Sequence, residues 1–517
     1  MDAALSPDQW VHAAAARHGA KPALHAADGS LDYAALARRI DALAGSLAAA
    51  GAGRGSVVAW LGTNSAAMVA TLAAATRLGA VFMPLNWRLA PPEHRAQLAA
   101  VAPRVLVADA EFADACASQQ VAPAGTLCVA RGAAPPAGWI GWIGWDDFAA
   151  RRTAQTAGES TDPDAPALLC FTSGATGAPK GALLSARALA ANADAAVDMH
   201  GLVADDRVLT ALPLFHVGGL NIQTLPALRC GCSVWLHARF DPDTTFDTIE
   251  RERITVTVLV PAQLDVLLAH PRWPTADLGS LRLIATGSTV VARRLIDAVH
   301  ARGVPLIQVW GATETGPVVC CLHADEARAH AGSAGRAARG AELRIADVDG
   351  SALPCGSSGE VLVRGPQLMS GYWGDAGATE RALAGGWFHS GDAGHLDADG
   401  YLWIDGRLKD MIICGGENVS PAEVEAVLLE SPAVAEAAVV GRPDARWGEV
   451  VVAFVVPAAG AHIDSTRLLD GFAGRLARFK HPRAIFVVDA LPRTALGKVR
   501  KEALRQQVAA QHQGQPA

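Results

Sequence analysis

The sequence predicts an α/β protein in which a large N-terminal domain of βα layers carries a β subdomain and is followed by a small α+β C-terminal domain. Three observations predict it. The 517 residues are too many for a single hydrophobic core. Through residue 330, Ala-rich helical patterns alternate with short apolar strands, which is the signature of βα layering. Near residue 340 the texture changes to short strands between D-G and Gly-rich turns, and after Asp410 it changes again to two helical patterns interleaved with apolar strands.

Taken in order, Leu36 to Ala50 and Ala66 to Leu78 read as helices, and Val57 to Trp60 reads as a strand. Met68 to Leu85 is apolar but carries Arg77, so it reads as a buried helix and strand rather than a membrane span. The stretch 132–157, with Trp139, Trp142 and Trp145, reads as a surface excursion. Beyond 181 the expected elements are helix 186–199, strand 207–211, helix 217–229, strand 232–236, helix 243–252, strand 255–260, strand 281–285, helix 290–302 and strand 305–309. Strands are expected at Glu342 to Ile345, Gly359 to Arg364 and Gly400 to Ile404, forming the β subdomain of about 340–405. The C-terminal domain, 410–517, should hold helices at Pro421 to Leu429 and Ser465 to Leu476. Its strands should lie at Ala437 to Gly441, Val450 to Val456 and Ala484 to Val488, and its polar end QHQGQPA should be frayed.

Composition narrows the function classes. A net charge of −7 and a 51% hydrophobic content indicate a globular chain without a nucleic-acid or anionic-membrane partner. The N-terminus lacks the basic region of a signal peptide, and nine cysteines without zinc-ligand spacing read as thiols of a reducing cytoplasm. Of 44 basic residues only six are lysine, and Lys180, Lys409 and Lys498 each lie in a glycine-containing cluster. In an arginine-rich chain, that usage points to sites that want a compact ammonium.

The densest cluster is TSGATGAPKG, Thr172 to Gly181, which follows the apolar run Ala167 to Phe171. Thr172, Ser173 and Thr176 bring hydroxyls, Gly174 and Gly177 let backbone N–H groups approach, and Lys180 supplies charge, so the loop suits a polyphosphate. Pro179 before Lys180 breaks the common phosphate-loop spacing. Instead the loop resembles the signature loop of the adenylate-forming superfamily, which includes acyl-CoA synthetases, luciferases and peptide-synthetase adenylation domains.

Four further clusters follow in that family's order. Trp310-Gly311-Ala312-Thr313-Glu314 ends an apolar run and offers an indole for stacking, a hydroxyl, and a carboxylate suited to Mg²⁺ at a sheet edge. It resembles the Y-G-x-T-E motif with tryptophan in place of tyrosine. Ser390-Gly391-Asp392 resembles x-T-G-D, which makes Asp392 the implied ribose carboxylate. Gly406 to Val419 resembles G-R-x-K-D-x-I-x-x-G-G-x-x-V. The resemblance implies that Arg407 contacts nucleotide, Asp410 is a hinge, and Gly415 and Gly416 line a thiol tunnel. Pro492 to Lys498 resembles P-R-T-x-x-G-K, which makes Lys498 the implied catalytic lysine between the substrate carboxylate and the α-phosphate.

The resemblance covers nearly the whole chain and implies two half-reactions. A carboxylate attacks ATP to give an acyl-adenylate and pyrophosphate, and a thiol then takes the acyl group after the C-terminal domain swings about Asp410. Phe215-His216 replaces the F-D of amino-acid-activating relatives, and by resemblance His216 borders an acyl pocket with room at Gly218, Gly219, Gly287 and Ala312. Trp447 and Arg483 resemble CoA-contacting positions, and Arg475, Arg478, Lys480 and Arg483 form a basic cluster suited to CoA phosphates. The expectation is an ATP- and Mg²⁺-dependent carboxylic acid:CoA ligase for a medium- or long-chain fatty acid or an aryl acid, with a homodimer left open. Two alternatives stand beside it: a ligase loading a carrier-protein thiol, and a non-catalytic nucleotide or acyl-CoA binding protein.

Overall fold

A computed structural model describes residues 6–132, 134–135, 139, 141–151, 162–172, 179–287, 291, 293–347, 349–408, 412–419, 421–492 and 499–512. It is a mixed α/β protein with a large N-terminal and a small C-terminal domain. Cα packing divides it into two compact units: Met1–Trp87, Gln97–Phe171 and Gly181–Gly406 form the first, and Arg88–Ala96, Thr172–Lys180 and Arg407–Ala517 form the second.

The first unit is built on two large sheets. One has seven strands in the order Leu306–Val309, Leu283–Gly287, Val256–Val258, Arg207–Thr210, Ser233–Leu236, Pro22–Ala26, Gly29–Asp32, all parallel except the last pair. The other has eight, with Val81–Leu85, Val57–Leu61 and Val105–Asp109 at its parallel centre. These central strands are buried along their whole length, as expected of parallel strands covered on both faces. Helix Tyr33–Ala49 buries Leu36, Ile40, Leu43 and Leu47 on one face, and the Asp32 side chain caps its start by accepting from the Ala35 N–H at 2.6 Å. Helix Ala66–Arg77 is buried on every side up to Thr76, so the apolar stretch at 68–85 is a core helix and strand. A four-stranded sheet, Glu342–Ala346, Gly359–Arg364, Phe388–Leu396 and Leu402–Arg407, forms the β subdomain.

The second unit holds a five-stranded sheet centred on Gly448–Pro457, which pairs antiparallel with Val434–Asp444 and parallel with Ala484–Val487. Helix Lys501–His512 was not expected from sequence. Its Leu504 and Val508, one turn apart, are buried with Val440, Val452 and Phe454.

Two other sequence expectations are corrected, and one is refined. Residues 217–229 are helical as expected, with one refinement: Val217–Gly219 leads into a π-helical turn at Leu220–Thr224 and then helix Leu225–Cys230, the backbone staying right-handed at Gly219, Leu220, Thr224 and Leu225. Pro226 has no N–H to donate, and the Leu225 N–H reaches back five residues to Leu220 O. Trp142 and Trp145 are not on a surface excursion. Trp142–Gly144 extends the eight-stranded sheet, and Trp145 packs edge-on against buried Trp60 at 6.1 Å. The helix expected at Ser465 to Leu476 stops at Asp470, before Gly471.

Candidate active site

In the first unit the candidate residues gather where the parallel strands of the seven-stranded sheet end, the edge at which open α/β sheets bind ligands. Gly287 closes strand Leu283–Gly287 directly opposite Val309. A Cβ on Gly287 would lie 2.3 Å from Val309 O, so only glycine lets the two strand ends meet. Trp310 follows Val309, and its indole Nε1–H donates to Asp392 Oδ2 at 3.0 Å. Two clusters more than eighty residues apart in sequence are thereby joined. Gly311 is required by close approach, since a Cβ there would lie 1.8 Å from Pro317 O.

Thr313, Glu314 and Thr315 form one 3₁₀ turn, tightened by the Ala312 N–H donating to Thr315 Oγ1 at 2.8 Å. Thr313 is buried. The Glu314 carbonyl accepts from the Met369 N–H at 2.8 Å, and its carboxylate Oε1 accepts from the Tyr372 hydroxyl at 3.0 Å. Behind the turn, buried Asn192 accepts from the Val318 N–H at 2.8 Å and donates to Asn221 O at 2.7 Å. Asn221 in turn donates to Gly316 O at 2.8 Å, which ties the π-helical turn to the Glu314 turn. Asp392 lies inside strand Phe388–Leu396. The strand register shifts there, and Glu360 accepts from the Gly391 N–H at 3.0 Å while its other oxygen meets His389 Nδ1 at 3.0 Å. Asn192, Asn221, Glu360, Met369 and Tyr372 were missed by sequence reasoning. Of these only Glu360 lay in a segment with a readable signal, and there only as part of the expected strand Gly359 to Arg364.

His216 caps the turn Val217–Gly219. Its Nδ1 accepts from the Gly218 N–H at 3.1 Å, so the ring proton sits on Nε2. Gly219 is required because a Cβ would lie 2.6 Å from both Leu212 O and Pro213 O. Beside His216, buried Phe215 meets Trp87 edge-on at 6.2 Å, and Trp87 stacks on Phe112 at 6.1 Å under the Arg239 guanidinium.

In the second unit, the Thr172 hydroxyl donates to Lys180 O at 3.4 Å across the base of the glycine-rich loop. Gly415 and Trp447 are brought together: the Gly415 N–H donates to Trp447 O at 2.8 Å, and a Cβ on Gly415 would lie 2.8 Å from the indole. Gly415 and Gly416 have φ of 60° and 82°, the left-handed region that favours glycine. Arg446 lies over the Trp447 ring at 4.9 Å, and Arg483 is exposed. Burial pushes the neighbouring Cys414 thiol up to about 11, which keeps it protonated and inert at neutral pH.

The proposed basic cluster needs a correction. Lys480 is 6% exposed and its Nζ donates to Glu93 Oε1 and Glu423 Oε2, both at 2.9 Å, while Arg475 pairs with Glu430. Its ammonium is consumed by two buried carboxylates and does not face a ligand. Ser173, Gly174, Thr176, Gly177, Asp410 and Lys498 lie outside the described residues, as does the side chain of Arg407.

Comparison with known proteins identifies the family of the chain. Residues 11–373 match the family model for AMP-binding enzymes, and 423–498 match that for the AMP-binding enzyme C-terminal domain. The chain is 53% identical over 97% of its length to an indoleacetate–CoA ligase of Aromatoleum aromaticum, 98% of which is covered. It is 41% identical to a feruloyl-CoA synthase of an Amycolatopsis species, with 96% of each chain covered. Among solved structures, the amide bond synthetase McbA of Marinactinospora thermotolerans superposes with a TM-score of 0.87 at 33% identity, covering 97% of this chain and 99% of that one. The chain belongs to the AMP-binding enzyme family, the adenylate-forming superfamily.

Proposed function

We propose that this acid:CoA ligase, with ATP and CoA as co-substrates, acts on an aryl acid with a short carboxylate-bearing side chain. The observation that supports the nucleotide site most is the 3.0 Å bond from Trp310 to Asp392 beside the Glu314 turn. An N–H donates in the plane of the indole, so this bond fixes the ring's rotation while a face can stack on a purine. Asp392 is the ribose-binding carboxylate in this reading. The aryl assignment rests on the relatives that act on indoleacetate and ferulate, and on the aromatic group Phe215, Trp87 and Phe112 beside His216.

In the first half-reaction a substrate carboxylate oxygen attacks the α-phosphorus of ATP and pyrophosphate leaves. Lys498 holds the two anions together, and Thr172, Ser173, Thr176, Lys180 and the backbone at Gly174 and Gly177 hold the β- and γ-phosphates. Thr313 offers a hydroxyl to the same region, and Arg407 contacts the nucleotide. Among the described residues no group of three or more His, Cys, Asp or Glu side chains could hold a metal. A single carboxylate suits Mg²⁺ that takes its other ligands from phosphates and water, so Glu314 is the residue that would hold it. The ion, when bound, neutralises charge at the phosphates. In the second half-reaction the C-terminal domain, 410–517, turns about Asp410 relative to 1–409. Gly415, Gly416, Trp447 and Arg483 then guide the CoA thiol to the acyl carbonyl, and AMP leaves. His216 borders the acyl group throughout. All nine cysteines are free thiols, which suits a reducing cytoplasm.

The test is pyrophosphate release with indole-3-acetate, ferulate and aliphatic acids of graded length, with and without CoA. The aryl acids should give the highest kcat/KM, and CoA should convert adenylate to thioester. Faster turnover of long aliphatic acids, or preferential acylation of a carrier protein, would replace the proposal.

A further inference from the structure

We propose that Tyr372 is a positioning residue for the Glu314 carboxylate, coupling it to the strand that leaves the glycine-rich loop. Strand Gly371–Tyr372 pairs antiparallel with Lys180–Ser185, with Tyr372 opposite Ala182. Two flanking bonds lock that register: the Ser370 N–H donates to Leu183 O at 2.8 Å, and the Trp373 N–H donates to Gly181 O at 2.7 Å. The Tyr372 N–H is satisfied by Thr379 Oγ1 at 2.9 Å, so the short strand cannot slide.

From this fixed strand the Tyr372 hydroxyl donates to Glu314 Oε1 at 3.0 Å, while Met369, three residues earlier, donates its N–H to Glu314 O at 2.8 Å. One segment thus holds both the main chain and the carboxylate of Glu314. A carboxylate that must meet a metal with strict geometry gains from such a fixed donor, because its rotation is settled before the metal arrives.

The inference rests on the reading that Glu314 holds the divalent ion. The experiment measures Mn²⁺ affinity of the enzyme–ATP complex by water-proton relaxation, for the full-length protein and for Tyr372→Phe, Glu314→Gln and the double variant. Tyr372→Phe should weaken Mn²⁺ about tenfold, as second partners of metal ligands do. It should raise the Mg²⁺ requirement of adenylation and leave the KM for the acid unchanged. In the Glu314→Gln background it should add nothing. An unchanged Mn²⁺ affinity in Tyr372→Phe alongside a weakened Glu314→Gln overturns the positioning role, and so does an equal loss from Tyr372→Phe in both backgrounds. Unchanged affinity in Glu314→Gln overturns the metal reading itself, and the inference falls with it.

Discussion

Replacing Lys480 by methionine tests how the second unit is held together. Its Nζ lies 2.9 Å from Glu93 Oε1 and 2.9 Å from Glu423 Oε2, and the side chains of all three are no more than 12% exposed. The two carboxylate oxygens therefore lie within about 6 Å of each other, a separation at which like charges strongly oppose joint ionisation. Methionine fills the volume but leaves two buried charges facing each other, and removing one partner of a buried ion pair costs about 3–5 kcal/mol. At about 1.4 kcal/mol per tenfold, amides of Val434–Asp444 and Gly448–Pro457 should exchange with deuterium roughly a hundredfold faster or more. Burial lowers the Lys480 pKa, but the Glu423 and Glu93 charges outweigh it and leave the pKa raised above 10.5. The wild-type contribution is therefore fully present below pH 10.5 and is lost as pH rises through the folded-state value. Adding Glu93→Gln to Lys480→Met should recover most of the loss at neutral pH. Exchange that is unchanged in Lys480→Met, or a loss that Glu93→Gln leaves undiminished, would refute the argument.

Trp310→Phe keeps an aromatic face but removes the donor to Asp392. A hydrogen bond to a charged group contributes about 1.5–3 kcal/mol, so KM for ATP should rise about tenfold with kcat little changed in saturation kinetics. Gly287→Ala places a methyl against Val309 O. Overpacking of about 1–3 kcal/mol should lower the thermal midpoint by several degrees in calorimetry, with an intact melt at the wild-type temperature counting against the close approach. Lys498→Ala should abolish adenylate formation from acid and ATP yet spare thioester synthesis from a supplied acyl-adenylate; equal loss in both assays would remove Lys498 from the first half-reaction.

Local patterns made the elements of the fold readable. Apolar runs such as Val57–Leu61 and Val105–Asp109 are buried along their length because parallel strands are covered on both faces, and that burial is what makes them visible in sequence. Where a single position changes the hydrogen bonding, the pattern is silent: residues 217–229 are helical as expected, yet before Pro226, which has no N–H, they carry a π-helical turn at Leu220–Thr224 that no periodicity announces. Charge patterns mislead for another reason. Lys480 looked like part of a basic ligand-binding face because Glu93, almost four hundred residues earlier, cannot be seen as its partner from the sequence around it.

The same distinction separates the readable and unreadable parts of the candidate site. Residues that contact a ligand directly tend to be fixed in type, as a carboxylate, a hydroxyl or a glycine, and sit in dense local clusters such as 310–314. Those that hold them in place come from elsewhere in the chain and are ordinary in isolation: Asn192 on helix Ala186–His200, Asn221 in the π-helical turn, Glu360 and Tyr372 on strands. Their function arises only from the partners that the fold supplies. Asn221 is the sharpest case, since it sits in the π-helical turn inside the expected helix and its amide reaches Gly316 O, beside the Glu314 turn. The departure from α-helical bonding and the support of the Glu314 turn thus meet in one short segment, closed by the five-residue hydrogen bond from the Leu225 N–H to Leu220 O just before Pro226.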